Sequence, residues 1–222
     1  MNINRFIDHT LLKPFASHEQ LKALCDVAKQ YEFASVCVNP CHAAFAAKEL
    51  AGTNVKTCCV VGFPFGTHLP EIKLAEARAA LRDGAQELDM VISVGHLLEG
   101  DEAYVEHEVQ LLADACHEAG ALLKVIIETC YLEETHIAAM CRIVEKTGAD
   151  FIKTSTGYGT RGALPKDIEL FKKYLKKPAK MKASGGIRTA EDAKRYIEMG
   201  CERLGTSNGV AIMQGMQASA DY

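Results

Sequence analysis

The stretch Thr147-Gly148-Ala149-Asp150-Phe151-Ile152-Lys153-Thr154-Ser155-Thr156-Gly157-Tyr158-Gly159 contains a whole joint of a repeating unit. A helix-like segment, Glu133–Thr147, stops at Gly148. An apolar, strand-like run follows over Phe151–Thr156, and glycines at 157 and 159 turn the chain back. The same joint, a glycine between a helix and the next apolar run, recurs at Asp83-Gly84-Ala85 and Met199-Gly200-Cys201. Further strand-like runs lie at Phe6–Thr10, Ala34–Asn39, Val55–Phe63, Glu87–Ser93, Leu122–Thr129, Lys180–Ser184 and Arg203–Ser207. Helix-like segments between them include Ser17–Tyr31, Pro70–Asp83 and Thr189–Met199, with capping signals in Ser17/Gln20 and Thr189/Asp192. Strands alternating with helices in this way predict an α/β fold, the (β/α)₈ TIM barrel, as a single domain. A doubly wound sheet of the dinucleotide-binding kind would carry GxGxxG after its first strand, and none is there. The barrel is expected over 1–213, with 214–222 as a short, polar, mobile C-terminal tail.

Of the 222 residues, 48% are apolar, enough for a large core. A net charge of -4 excludes a nucleic-acid or anionic-membrane partner. The basic run Lys172-Lys173-Tyr174-Leu175-Lys176-Lys177 reads as the solvated face of a helix. The polar start Met1–Asp8 has no secretory apolar region, and no run reaches transmembrane length, so a cytoplasmic location is expected. The nine cysteines include Cys37, Cys58 and Cys59 in apolar runs, which suits reduced thiols used as small core residues. There is no CxxC, HxH or HExxH, so a metal is not expected.

The chemistry starts from lysine. Lys153 and Lys182 each sit in an apolar strand that ends in glycine, and lysine is among the residues least often buried. Snorkelling to solvent would account for one such residue. Parity argues for more. In Glu87-Leu88-Asp89-Met90-Val91-Ile92, Leu88, Met90 and Ile92 would face the helices and Glu87, Asp89 and Val91 the barrel interior. The same alternation turns Lys124, Lys153, Lys182, Asp8 and Cys37 inward. Barrel interiors are normally filled by branched apolar side chains, so this layer is either a buried ion-pair network or an active site. Lysines outnumber the carboxylate among Asp89, Lys124, Lys153 and Lys182, which argues against simple pairing. A second ammonium beside a desolvated lysine favours its neutral amine, which can attack a carbonyl.

Glycines after the last three strands (Gly157 and Gly159; Gly185-Gly186; Gly205 to Gly209) suggest backbone N–H groups around a phosphate, with Ser207 and Asn208 adding polar side chains. Tight turns alone would explain some of them. Together these residues point to imine chemistry on a phosphorylated aldehyde or ketone. A phosphosugar isomerase or a non-catalytic phosphate-binding barrel would need no imine-forming amine.

Seven phrases, in order along nearly the whole chain, resemble the deoxyribose-phosphate aldolase family: Ile7-Asp8-His9-Thr10-Leu11-Leu12-Lys13-Pro14, Ala34-Ser35-Val36-Cys37-Val38-Asn39-Pro40, Val61-Gly62-Phe63-Pro64, Glu87-Leu88-Asp89-Met90-Val91-Ile92, Leu123-Lys124-Val125-Ile126-Ile127-Glu128-Thr129, Phe151-Ile152-Lys153-Thr154-Ser155-Thr156-Gly157 and Lys182-Ala183-Ser184-Gly185-Gly186-Ile187-Arg188. The resemblance implies cleavage of 2-deoxy-D-ribose 5-phosphate to D-glyceraldehyde 3-phosphate and acetaldehyde, with no cofactor. It implies Lys153 as the Schiff-base lysine, Lys182 as the group lowering its pKa, and Asp89 with Lys124 as the proton relay. Phosphate would fall on Gly157, Gly185, Gly186, Ser207 and Asn208. Thr154 would join the substrate contacts, Asp8 would meet a hydroxyl, and Cys37 would be a thiol that excess aldehyde can trap. The tail residue Tyr222 would assist proton transfer. The implied partners are small phosphosugars and aldehydes, and the implied assembly is a homo-oligomer, a dimer in the first instance. Asn208 departs from the serine or alanine more usual there.

Overall fold

The computed structural model describes residues 2–176 and 179–216. Eight parallel strands close into a barrel in sequence order: β1 (Ile7–Leu11), β2 (Ser35–Val38), β3 (Lys56–Val61), β4 (Glu87–Val91), β5 (Leu122–Ile126), β6 (Phe151–Lys153), β7 (Lys180–Ser184) and β8 (Arg203–Thr206), with β8 pairing back onto β1. Around them run α1 (His18–Tyr31), α2 (Ala43–Glu49), α3 (Pro70–Arg82), α4 (Val94–Leu98), α5 (Glu102–Glu118), α6 (Glu134–Thr147), α7 (Pro165–Tyr174), α8 (Ala190–Glu198) and α9 (Gly209–Gln214). The expected (β/α)₈ barrel is therefore what the chain forms.

The local signals work as their chemistry dictates. Ser17 and Gln20 form a reciprocal capping box at the start of α1, and Thr189 and Asp192 do so for α8. Gly148 ends α6 in the left-handed region at φ 72, where a side chain would strain the backbone. Strand edges differ from expectation. β6 stops at Lys153 and not at Thr156, because Thr156 leaves the sheet to donate its N–H and hydroxyl to the Glu128 carboxylate. The short helix α4, which lacks a clear periodic signal, intervenes between β4 and α5.

Two apolar layers result from strand alternation. Leu88, Met90 and Ile92 join the large core between strands and helices. Cys37, Cys58 and Val60 form a small separate cluster inside the barrel, with Leu12 and Phe63 packed against it. The interior also holds charge: Asp8, Glu87, Asp89, Lys124, Lys153 and Lys182 are all buried there. Residues 217–222, including Tyr222, lie outside the described residues, so the expected tail is represented only by the end of α9, Gly215 and Met216. Among the described residues, no helix is long and apolar enough to cross a membrane.

Candidate active site

Sheet register brings the charged residues together. Asp89 on β4 lies beside Lys124 on β5, and Lys153 on β6 beside Lys182 on β7. The Asp89 carboxylate is the hub. Its Oδ2 accepts from Lys153 Nζ at 2.6 Å and Lys182 Nζ at 2.7 Å, and its Oδ1 from Lys124 Nζ at 2.9 Å. A layer of further pairs lies around it. Lys124 meets Glu87 at 2.7 Å, Lys182 meets Asp8 at 2.5 Å, and Arg203 bridges Asp8 and Glu87. Four cations, Lys124, Lys153, Lys182 and Arg203, thus share three carboxylates, Asp8, Glu87 and Asp89. The expectation that the lysines are not simply paired needs correction. A network exists, completed by Glu87 and Arg203, yet one positive charge remains in surplus.

Electrostatics separates the members. Burial alone would raise Asp89, but Lys124, Lys153 and Lys182 outweigh it and hold the carboxyl well below its ordinary range. Asp8 is likewise pulled down against burial, by Arg203, Lys182 and Lys124. Burial would lower Lys182, but Asp8 and Asp89 raise it; Lys124 is raised by Asp89, Cys58 and Glu87. Both ammoniums are therefore fixed charges at neutral pH. Lys153 differs in access and in partners. It pairs with Asp89 alone among the carboxylates and is 4% exposed, whereas Lys124 and Lys182 are 0% exposed.

Asp8 lies deep in this layer. Its carboxylate is engaged by Ser35, Arg203 and Lys182, so a substrate hydroxyl would have to compete with these donors. Cys37 faces Asp89 from β2, with its sulfur, the Cys58 sulfur and an Asp89 oxygen all within 4.8 Å of one another. Two thiols and a carboxylate are a plausible metal donor set. Here the Asp89 oxygens already accept from three ammoniums, and the surplus positive charge repels a divalent cation.

The glycine turns stand at the rim. Gly157, Gly185 and Gly186 have φ of 90, 78 and 78, conformations that side chains rarely adopt. Gly157, Tyr158, Ser207 and Asn208 line one wall of a cleft of ≈ 700 Å³, with Leu11 to Phe15 and α1 opposite. Ser207 Oγ in that cleft, and Ser184 Oγ at the end of β7, are buried without a protein hydrogen-bond partner, as expected of groups that meet a ligand. Thr154 is occupied differently: its hydroxyl bonds the Ser184 carbonyl and accepts from the Ser184 N–H, tying β6 to β7.

Two rim residues escaped sequence reasoning. Glu128 is 3% exposed, left-handed at φ 53 and pushed up by burial. It pins Thr156 through that residue's N–H and hydroxyl, which orders the loop carrying Gly157. Tyr158 spans the mouth, donating from its hydroxyl to the Leu12 carbonyl at 3.1 Å and packing edge-on against Phe63 at 5.5 Å. Parity over the expected run Leu122–Thr129 turns Glu128 inward with Lys124, but β5 ends at Ile126 and leaves it in the loop, and Tyr158 lies past β6, out of reach of parity.

Comparison with known proteins agrees with this geometry. Residues 5–216 match the family model described as "DeoC/LacD family aldolase". The deoxyribose-phosphate aldolase of Treponema denticola is 60% identical over 215 residues, covering 97% of this chain and 100% of that protein. A crystal structure of a putative deoxyribose-phosphate aldolase from Coccidioides immitis superposes with a TM-score of 0.92 at 40% identity, covering 96% of this chain and 85% of that one. The deoxyribose phosphate aldolase from Aeropyrum pernix, described as a unique tetramer, gives 0.89 at 32% identity, with 96% and 89% covered. This chain belongs to the DeoC/LacD family of aldolases.

Proposed function

We propose that the chain is a class I aldolase, a lyase that reversibly cleaves 2-deoxy-D-ribose 5-phosphate to D-glyceraldehyde 3-phosphate and acetaldehyde through an imine on Lys153. The observation that carries the reading is the surplus cation: of the buried lysines around Asp89, Lys153 alone is reachable and has a single carboxylate partner. Lys182, held charged by Asp8 and Asp89, stands beside that amine as its register partner on β7. The neutral amine attacks the substrate aldehyde, water leaves, and the protonated imine draws electrons from the adjacent carbon–carbon bond. Cleavage leaves an enamine, which must gain a proton at carbon before hydrolysis frees acetaldehyde.

Asp89 suits the proton transfers because its two oxygens touch Lys153 and Lys124 respectively. At the other end of the substrate, the phosphate would rest on the Gly157, Gly185 and Gly186 backbone with Ser207 and Asn208. The orphaned Ser207 hydroxyl supports that assignment. Tyr222 would act as a further proton donor; Tyr222→Phe should then lower turnover and leave imine trapping intact. An oligomer of small-molecule specificity fits the family, and the nine free thiols suit a reducing, cytoplasmic setting.

A substrate comparison tests the reading. The protein should cleave 2-deoxyribose 5-phosphate and release acetaldehyde, and should handle unphosphorylated 2-deoxyribose with a much higher KM. Equal KM values would remove the phosphate site. Absence of acetaldehyde from either sugar would sink the aldolase assignment itself.

A further inference from the structure

Two thiols face each other inside the barrel. Cys37 on β2 and Cys58 on β3 are register partners on adjacent parallel strands, and both side chains enter the small inner cluster. Their sulfurs and an Asp89 oxygen lie within 4.8 Å of one another. Neighbouring strands lie about 4.8 Å apart, within the roughly 4.4–6.8 Å Cα separation that a disulfide spans. The pair is also chemically unequal. The neighbouring Cys58 lowers the Cys37 thiol in spite of burial, while burial and the neighbouring Cys37 raise Cys58. An attacking thiol beside a resolving thiol is the arrangement of a reversible oxidation site.

Access follows from the neighbouring chemistry. Cys37 is 1% and Cys58 0% exposed, but Cys58 Sγ lies 3.1 Å from Asp89, whose other oxygen is 2.6 Å from Lys153. On the aldolase reading an aldehyde reaches Lys153, and a hydroperoxide of similar size reaches the same place. Cys41 is the exposed thiol of the chain, yet it lacks this arrangement: its sulfur has no such partner in register.

We propose that Cys37 and Cys58 form a reversible oxidation site, which a hydroperoxide converts to a disulfide that slows the enzyme. The Cys37 thiolate attacks a peroxide oxygen; the O–O bond breaks, leaving a sulfenic acid and releasing water or an alcohol. The Cys58 thiol then attacks the sulfenic sulfur. An S–S bond forms, and the departing hydroxide leaves as water with the Cys58 proton. Two thiols and one hydroperoxide thus give one disulfide, one water and one further water or alcohol, with two electrons passing from sulfur to the O–O bond. Coupling to activity runs through Cys58, which donates to Asp89 Oδ1 and accepts from Lys124 Nζ at 3.3 Å. The disulfide removes that donor from Asp89. Both the route of the oxidant and the slowing rest on the aldolase reading.

The test treats the full chain with hydrogen peroxide, alkylates the remaining thiols, and maps peptides by mass. Deoxyribose 5-phosphate cleavage is followed before and after dithiothreitol. The expected result is a linked Cys37–Cys58 peptide, a several-fold loss of activity, and recovery on reduction. Cys58→Ser keeps a hydroxyl for Asp89 and Lys124, and its activity after oxidation is compared with its own untreated activity. On oxidation it should form no cross-link from Cys37 and instead carry added oxygen there, as a sulfenic acid that dithiothreitol reduces and, under excess peroxide, as a sulfinic acid that it does not. Loss in the wild type with no Cys37–Cys58 cross-link, or a Cys58→Ser protein whose Cys37 takes up no oxygen, would overturn the proposal. A cross-link in a protein that never cleaves the sugar would leave the oxidation site standing and remove the proposed function.

Discussion

Lysine is buried in two regions of this molecule, and the two are built in opposite ways. Between α3 and α5, Lys73 meets Glu108 at 2.5 Å and the Val91 carbonyl at 2.9 Å, while Glu108 accepts from the Ser93 N–H at 2.6 Å. That is one cation for one carboxylate. Burial outweighs pairing there: Lys73 is pushed down and Glu108 up. Inside the barrel the balance reverses. Mutual attraction outweighs burial, so Asp8 and Asp89 are held down and Lys124 and Lys182 up. Yet that network carries four cations for three carboxylates. The comparison teaches where to look for chemistry. A matched buried pair braces the loops after β3 and β4, whereas an unmatched charge is kept because something is done with it.

The largest effect should come from removing the surplus charge. Lys153→Leu should lower turnover by at least ~10³-fold, the scale seen when a covalent nucleophile is deleted. Three cations would then face three carboxylates, so thermal stability should hold or rise. A marked drop in melting temperature would mean that Lys153 is needed for the network and not only for reaction. Next comes Asp89→Asn, with an expected loss of about 10²–10⁴-fold in rate, the range of general acid–base catalysis. Acetaldehyde trapping should survive in that variant while exchange of its methyl protons with D₂O slows; normal exchange would take Asp89 out of the relay.

The matched pair should respond in stability and not in rate. Lys73→Met leaves Glu108 buried and unpaired, which costs about 3–5 kcal/mol. Denaturant titration should show it, while kcat of the folded fraction stays near wild type. Lys73→Met combined with Glu108→Leu should regain most of the loss. A double variant no better than the single would show that pairing, and not desolvation, dominates there. The smallest effect concerns pH. Asp8 and Asp89 outweigh burial and keep Lys182 charged through neutral pH. As the proposed charge effect requires, Lys182→Leu should move imine trapping to higher pH. An unchanged pH profile would reduce Lys182 to a spacer.

Much of this was legible in the sequence because a strand has period two. Alternation alone turns Asp8, Cys37, Asp89, Lys124, Lys153 and Lys182 into one layer, and the structure brings all six together. Arg203 obeys the same parity at the start of β8, but its partner Glu87 is 116 residues away, so the pairing depends on barrel closure. Lys73 sits with Ala77 and Ala80 on the buried face of α3, a helical spacing that marks it as a core lysine to anyone following period 3.6. Glu128 is harder. Its position depends on a left-handed residue just past a strand end, which no periodicity encodes.

The central claim is that Lys153 is the amine that reacts. Incubation with acetaldehyde and borohydride, followed by intact mass and peptide mapping, addresses it directly. The prediction is a single ethyl group, carried on Lys153, in the wild type and none in Lys153→Leu, with Lys124 and Lys182 unmodified in both. An adduct on Lys182 or Lys124, or a wild-type protein that takes up no ethyl group, would contradict the account.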